Sequence, residues 1–298
     1  RPEDAARRGQ AKGGPPLSDF LTAYYRHVPA EEILARSADD LLSMALAHRD
    51  LARSRPVGTA TVTCVNPSIE SEGWSSPHSV VQIVTDDRPF LVDSVTAHLE
   101  MVDRPIHAVI HPVMVVRRSA DGQLEDLVLD EDQSVPESVA SHSYGELRES
   151  WIHLEISRES DDAARRALVS GLTKVLSDVR EAVEDWPKMR ARAQALADDL
   201  RAHSPKGIPG SEAIQAADFL DWMVANNFTF LGARDYSLVP GKGGAHLTTA
   251  SGSGLGLLRS DPAMARQLTT LSGTALDKAL ERRVLFITKA NSRATVHR

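Results

Sequence analysis

The sequence has a single cysteine, Cys64, among 298 residues. No internal disulfide can form, and a lone thiol fits a reducing compartment, so a cytosolic setting is expected. Aromatic residues make up 5% of the chain. The core must then rest on Leu, Val, Ile and Ala. No stretch approaches the roughly 18 consecutive apolar residues of a membrane span, and Arg1-Pro2-Glu3-Asp4 opens no apolar leader. Positive charge is short as well: 34 Lys and Arg face 41 Asp and Glu, for a net charge of −7. That balance weighs against nucleic acid as a partner, because binding a phosphate backbone needs a basic surface. The chain lacks a starting Met and ends soon after Ile287–Ser292, which reads as a strand and its exit. It is therefore expected to be cut from something longer.

What is present reads as an ordinary folded chain, with 42% hydrophobic and 25% charged residues. Residues 1–16 carry Pro-Gly clusters and read as a disordered tail. Helices are expected over 17–28 and 31–53, with Pro29 just inside the start of the second. β-Branched residues predict a strand over 59–65, and another follows over 79–85. Pro89 is expected to open a helix to about Asp103, with the stripe Leu91, Val95, Leu99 and Val102, and with Asp86 and Asp87 placed to cap it. One strand spans 106–118, and Asp121-Gly122 signals a hairpin into 124–129. Residues 130–149 read as a polar loop and 151–156 as a strand. Residues 161–185 read as a helix that Trp186-Pro187 ends before another begins at Met189. A linker is placed at 204–210, then a helix from an N-cap at Ser211 to about Asn226, a strand over 228–239 and a Gly-rich loop over 240–256. A short helix from Asp261 and a strand over 284–288 close the chain. The order predicts an α+β sandwich around a ferredoxin-like split β-α-β unit, with helices on one face of a mostly antiparallel sheet.

Most candidate chemistry dissolves on inspection. Ser251–Gly256 resembles a dinucleotide loop only until the third required glycine, which falls on Leu257. Gly241–Gly244 lacks the upstream glycine and trailing Ser/Thr of a phosphate loop. His107 and His111 lie four apart on one predicted strand, but no third metal ligand accompanies them. Cys64 and His78 invite a nucleophile pair, yet a mid-strand cysteine is more often a small buried hydrophobe. Asp86–Val95 is the strongest candidate. It ends a strand in two acids and starts an apolar helix whose free N–H groups can hold a carboxylate.

Asp87-Arg88-Pro89-Phe90-Leu91-Val92-Asp93 resembles the strand-to-helix turn of ACT domains, βαββαβ modules that often bind amino acids and regulate metabolic enzymes. That family usually has Gly where Phe90 stands, and Phe90 is expected to crowd a ligand out. The longer run Asp86–Val95 is similar to the N-terminal region of large bacterial NAD-specific glutamate dehydrogenases. So are Asp218–Trp222, Asn227–Gly232 and Ile287–Arg298, so the resemblance runs from about Ser79 onward. It implies N-terminal helices over 17–56, an ACT-like domain over 57–203 and a second, incomplete ACT-like module over 211–298. It further implies a regulatory and oligomerisation role without catalytic residues, no cofactor bound by this segment, and NAD used elsewhere in the enzyme. Expected partners are the rest of the enzyme, other subunits of a homo-oligomer and a small amino-acid effector, with no nucleic acid or membrane. The positions implied for an effector are Asp87, Arg88, Phe90, Leu91, Asp93 and His107.

Overall fold

A computed structural model describes residues 16–128, 146–241 and 244–259, and residues 273, 281 and 284 singly. The tail expected at 1–16, the helix from 261 and the strand over 284–288 lie outside these residues, residues 16 and 284 apart. The chain divides into two compact units, the first ending at Ser177 and the second starting at Asp178.

The first unit is built on a six-stranded antiparallel sheet. Its strands are β1 (Thr61–Val65), β2 (Ser79–Asp86), β3 (Ile106–Ile110), β4 (Val113–Arg118), β5 (Leu124–Val128) and β6 (Glu146–Ile156). The order is β1-β2-β6-β4-β5, and β3 also pairs with β6. Its helices are α1 (Leu17–Tyr25), α2 (Ala30–Leu34), α3 (Ala38–Leu51), α4 (Leu91–Met101) and the first part of α5 (Asp162–Ala202). β2 and β4 both run antiparallel to β6, which lies between them. They are therefore parallel to each other and joined through α4, which makes a split β-α-β unit. After β5 the chain enters β6 and then α5, an order of described elements that differs from the βαββαβ expected.

The strand expected over 106–118 is two strands on one track. Ile106–Ile110 pairs with Ile156–His153, and Val113–Arg117 continues along Ser150–Glu146. Pro112, which has no N–H to give the ladder, interrupts the track, while its carbonyl still accepts from Trp151 N at 3.0 Å. His111 thus leaves the strand, and the shared face expected for His107 and His111 is lost. β6 begins at Glu146, inside the region expected to be loop. The Asp121-Gly122 hairpin forms as expected, with Gly122 at φ 79°.

Helices cover both faces of the sheet, not one. Every residue of β2 except Asp86 is buried, which requires cover on each side. On one face Val80, Val84, Ile110, Met114, Val116 and Trp151 share a core with Phe20, Tyr24, Met44 and Ala45 of α1 and α3. Residues of opposite parity, such as Val81 and Ile83, are equally buried, as are Leu91, Val95 and Leu99 of α4 and Leu168 and Leu172 of α5. α4 and α5 meet closely: a Cβ at Gly171 would lie 2.6 Å from His98 Nε2.

The helix expected over 31–53 breaks between α2 and α3, where Ser37 caps α3 by accepting from Asp40 N at 3.1 Å. Pro29 sits before α2 as its cap residue rather than inside it. α5 runs unbroken past Pro187, so Trp186-Pro187 does not end a helix. Proline removes one N–H and strains the preceding turn, but Ala182, Met189 and Ala193 are buried on either side and hold the helix together. Its start follows pattern: Asp161 accepts from Ala163 N at 3.0 Å and Ala164 N at 3.3 Å.

The second unit packs the later part of α5 against α6 (Gly210–Trp222) through Ala197, Leu200, Ala216, Ala217 and Leu220. α6 is capped from Pro209, with Ser211 already inside, and continues as a π-turn over Met223–Asn227. The strand expected over 228–239 is shorter and divided: β7 (Gly232–Ala233) pairs with β10 (Leu255–Gly256), and β8 (Tyr236–Gly241) with β9 (Gly244–Thr249). Two strands therefore occupy part of the expected Gly-rich loop. Asp185 of α5 ties the loop end of this small unit, accepting from Gly256 N at 2.9 Å and from Arg259 Nε at 2.8 Å.

Candidate functional site

The Asp86–Asp93 turn lies where β2 leaves the sheet for α4. Asp86 and Asp87 do not cap the helix. Asp86 is the last residue of β2, opposite Glu149, and its carboxylate accepts from Arg55 Nη2 at 2.6 Å. Arg88 reaches the same carboxylate at 3.7 Å. Asp87 donates its N–H to Arg148 O at 2.9 Å, and its carboxylate accepts from Ser150 Oγ at 2.6 Å and Arg148 Nε at 3.4 Å. The Asp87 carboxylate fastens the turn to the first residues of β6, and the Asp86 carboxylate fastens it to Arg55, which also binds Glu149 of β6.

Pro89 does not occupy the first helical position. Phe90 precedes Leu91 as the cap residue, with φ 72° and ψ 4°, and its side chain makes no cap hydrogen bond. Its backbone thus adopts the left-handed conformation that glycine would take without cost, and which costs a bulky residue about 1–2 kcal/mol. Phe90 is 36% exposed, so it does not sit in the core. Leu91 is buried and Asp93 exposed on the first turn, where its charge favours the positive helix end. Ser94 is buried, and its Oγ has no hydrogen-bond partner among the described residues.

His107 is not part of this turn. It stacks on His78 with ring centroids 4.1 Å apart, and its Nε2 lies 3.0 Å from Ser157 Oγ. Asp87 is bonded to Arg148, so the two lie apart by the run of β6 from Arg148 to Ser157, roughly 30 Å at about 3.3 Å per residue. The histidine near the turn is His111. Burial pushes its pKa down, and the charge of Asp87 works against that shift. Burial raises the Cys64 thiol to about 11, which disfavours the thiolate that a nucleophile would need. Among the described residues no group of three or more His, Cys, Asp or Glu is placed to hold a metal ion, and no helix is long and apolar enough to cross a membrane.

Beneath the turn lies an ion network that the sequence did not suggest. Glu149, fully buried, accepts from Arg55 Nη2 at 2.5 Å, Arg118 Nε at 2.5 Å, Arg118 Nη2 at 2.8 Å and Trp151 Nε1 at 3.1 Å. Burial pushes its pKa up, but Arg118 and Arg55 together outweigh that and hold the carboxyl below its usual range. Gly122 O accepts from both Arg55 N and Arg118 Nη1 at 2.9 Å. The residues come from distant parts of the chain, and only the two-residue spacing of Glu149 and Trp151 is a local signal.

The fold defines a small α+β module: an antiparallel sheet around a split β-α-β unit, with a tightly fastened strand-to-helix turn. Residues 20–172 match the family described as glutamate dehydrogenase, ACT1 domain, and the chain belongs to that family. It is 31% identical to the NAD-specific glutamate dehydrogenase of Halomonas elongata over 95% of its own length and 17% of that protein. It is 31% identical to the Pseudomonas aeruginosa protein of the same name over 83% of the chain and 15% of that protein. The Mycobacterium tuberculosis protein of that name is 26% identical over 76% of the chain and 13% of its own length. The chain thus spans less than a fifth of the relatives it matches. The family match starts at residue 20, well before Ser79 where the motifs began, because α1 and α3 form one layer of the same module.

Proposed function

We propose that this chain is a non-catalytic regulatory and assembly region of a large NAD-dependent glutamate dehydrogenase. The single observation that carries the reading is the match of residues 20–172 to an ACT1 domain. Its alignment to about a sixth of the relatives agrees with that role. The parent enzyme would oxidise L-glutamate to 2-oxoglutarate and ammonium, with NAD accepting the hydride in another part of the polypeptide. On this reading the region works in the cytoplasm. Its partners are the rest of the enzyme and neighbouring subunits. Among the described strands, β1 pairs on one side only, and such an edge can add a strand from another copy. The test compares the full-length enzyme with one lacking this segment, by sedimentation and by glutamate-dependent NAD reduction. Turnover should survive deletion, while oligomeric state or effector response should change. If both stay unchanged, the reading fails, as it does if the 298-residue chain alone reduces NAD.

A second reading makes the Asp87–Asp93 turn an amino-acid sensor, with the ligand carboxylate on the α4 N-terminus. The buried Ser94 Oγ, which has no hydrogen-bond partner among the described residues, favours it. His107 drops out of that ligand set, and His111 stands in its place. Calorimetric titration with a panel of amino acids decides the matter: no heat from any of them, with folded protein, removes the sensor.

A further inference from the structure

We propose that residues 17–51 form an acid-released layer: His48 and His153 latch α1–α3 onto the sheet, and acidification frees that layer while the sheet stays folded. Both histidines are fully buried at the boundary between the helices and the sheet, with ring centroids 6.4 Å apart. Their neighbours fix the protons. Ile83 O can only accept, so His48 Nε2, 3.1 Å away, carries the hydrogen. His48 Nδ1 then accepts from the Tyr24 hydroxyl at 2.8 Å. Gln82 Nε2 can only donate, so His153 Nδ1, 3.2 Å away, accepts. His153 Nε2 therefore carries its hydrogen, and it is buried without a hydrogen-bond partner among the described residues, 3.7 Å from Glu155 Oε1.

A second proton has no good place to go. On His153 Nδ1 it would meet the Gln82 donor unless that amide turned over and gave up its bond to Met44 O at 3.4 Å, and on His48 Nδ1 it would end the donation from Tyr24. The groups facing His48 are Tyr24 of α1, Ile83 of β2, and Trp151 and His153 of β6. Those facing His153 are Gln82 of β2, Glu155 of β6, Arg36 between α2 and α3, and Trp74 from the loop before β2. Glu155 is the one carboxylate among them, and it is already paired with Arg36 at 2.6 Å. Two imidazolium rings here would both be buried, and Glu155, 3.7 Å from His153 Nε2 and already paired with Arg36, would offset only the charge on His153, and that in part.

Burial holds the docked His48 at about 3, against an ordinary value of 6.5. Burial also lowers His153. A base with a depressed folded-state pKa stabilises above its unfolded value and loses that contribution as pH falls below it. For His48 alone, release becomes roughly 100-fold more favourable at pH 4.5, and His153 adds in the same direction. The carboxylates act later. Glu155 is held at about 2 and Glu149 below its ordinary 4.5, so their contributions fade only below about 4.5. The layer also has a tether that remains. Just beyond α3, Leu124 N donates to Arg53 O at 2.8 Å, and Arg55 is locked into the Glu149 network.

Hydrogen exchange read by mass spectrometry on the 298-residue chain, from pH 7.5 to 4.5 and corrected for intrinsic rates, tests the latch. Peptides within 17–51 should lose protection by about 100-fold or more at pH 4.5, while β2 and β6 keep theirs. Equal loss in the sheet, or no loss in 17–51, overturns the proposal. In His48→Gln, the amide can still donate to Ile83 and accept from Tyr24 without titrating, so the pH dependence of 17–51 should flatten. His153→Gln serves the same purpose if the first variant does not fold. An unchanged pH dependence in a folded variant also overturns the proposal.

Discussion

Glu149→Ala should remove most of the stability of the first unit. The carboxylate is the shared acceptor for two guanidinium groups that are themselves fully buried. After truncation Arg55 keeps Asp86 and the carbonyl of Thr59, and Arg118 keeps the carbonyl of Gly122. Each loses its main counter-charge in the core. Breaking a buried pair by removing one partner typically costs about 3–5 kcal/mol. Here one deletion strips Arg118 of its carboxylate and leaves Arg55 with Asp86 alone, so at least about 4 kcal/mol is expected, against a total of roughly 5–15 kcal/mol for a domain. Urea unfolding at pH 7, followed by hydrogen exchange of β6 amides, isolates this unit from the second one. The pH dependence provides an internal control. The folded-state pKa is depressed, so the contribution is present above about 4.5 and shrinks as pH falls below it. The gap between wild type and Glu149→Ala should narrow accordingly. Replacing Arg55, Arg118 and Glu149 together by apolar residues of similar volume should cost far less than the single change, because no charge is left unpaired. A loss under about 1 kcal/mol for Glu149→Ala, the median for an exposed ion pair, refutes the reasoning.

Three further outcomes follow from the same geometry. Gly122→Ala places a Cβ 2.4 Å from the Arg55 carbonyl oxygen at φ 79°; it should cost more than about 2 kcal/mol in chemical unfolding and loosen the Arg55 network, and a neutral result contradicts the turn described. Phe90→Ile puts a β-branched residue into the left-handed region and should cost at least about 1 kcal/mol, whereas Phe90→Gly should be close to neutral, since strain relief offsets about 0.5–1 kcal/mol of added chain entropy; equal stability of the two variants counts against that backbone. Asp185→Asn weakens acceptance from Gly256 N and Arg259 and should cost about 1–2 kcal/mol, read as faster exchange at residues 255–259 with β2 and β6 unaffected.

Much of the sheet was legible because its signals are local. The apolar run of β2, the stripe of α4 and the Asp-Gly turn each follow from neighbours a few residues away. The second helical layer was harder to read, although Val80–Val84 already carried a clue: an almost continuous apolar strand needs cover on both faces. Gln82 in its middle obscured the point, and its role emerges only with Met44 O and His153 beside it. Pro112 and Pro187 illustrate why punctuation misleads. Both remove a backbone donor. Pro112 splits a strand because the ladder needs that donor, while Pro187 is carried within α5 because buried side chains on both sides offset one lost bond. The Glu149 network was not legible at all, since its arginines lie 94 and 31 residues away and no periodicity marks them.

The turn that identifies the family owes its acids to the sheet rather than to a ligand. Asp86 is held by Arg55, and Asp87 by Ser150 and Arg148, so neither carboxylate is available to neutralise an incoming ammonium group without breaking one of those bonds. An anion would have to rely on the backbone N–H groups at the start of α4, with Ser94 beneath them. Phe90 bears on that possibility through its backbone more than through its bulk. Its φ of 72° already gives the chain the direction a glycine would give it, and its ring stays partly exposed rather than filling the core. The strain is therefore spent on turning β2 sharply into α4. Relieving it with glycine would keep the turn and remove the ring, so any ligand that the ring excludes should gain access in Phe90→Gly. Calorimetric binding of an amino acid by that variant and not by wild type would assign the ring the role of a block. Binding by neither would leave the turn a purely structural fastening.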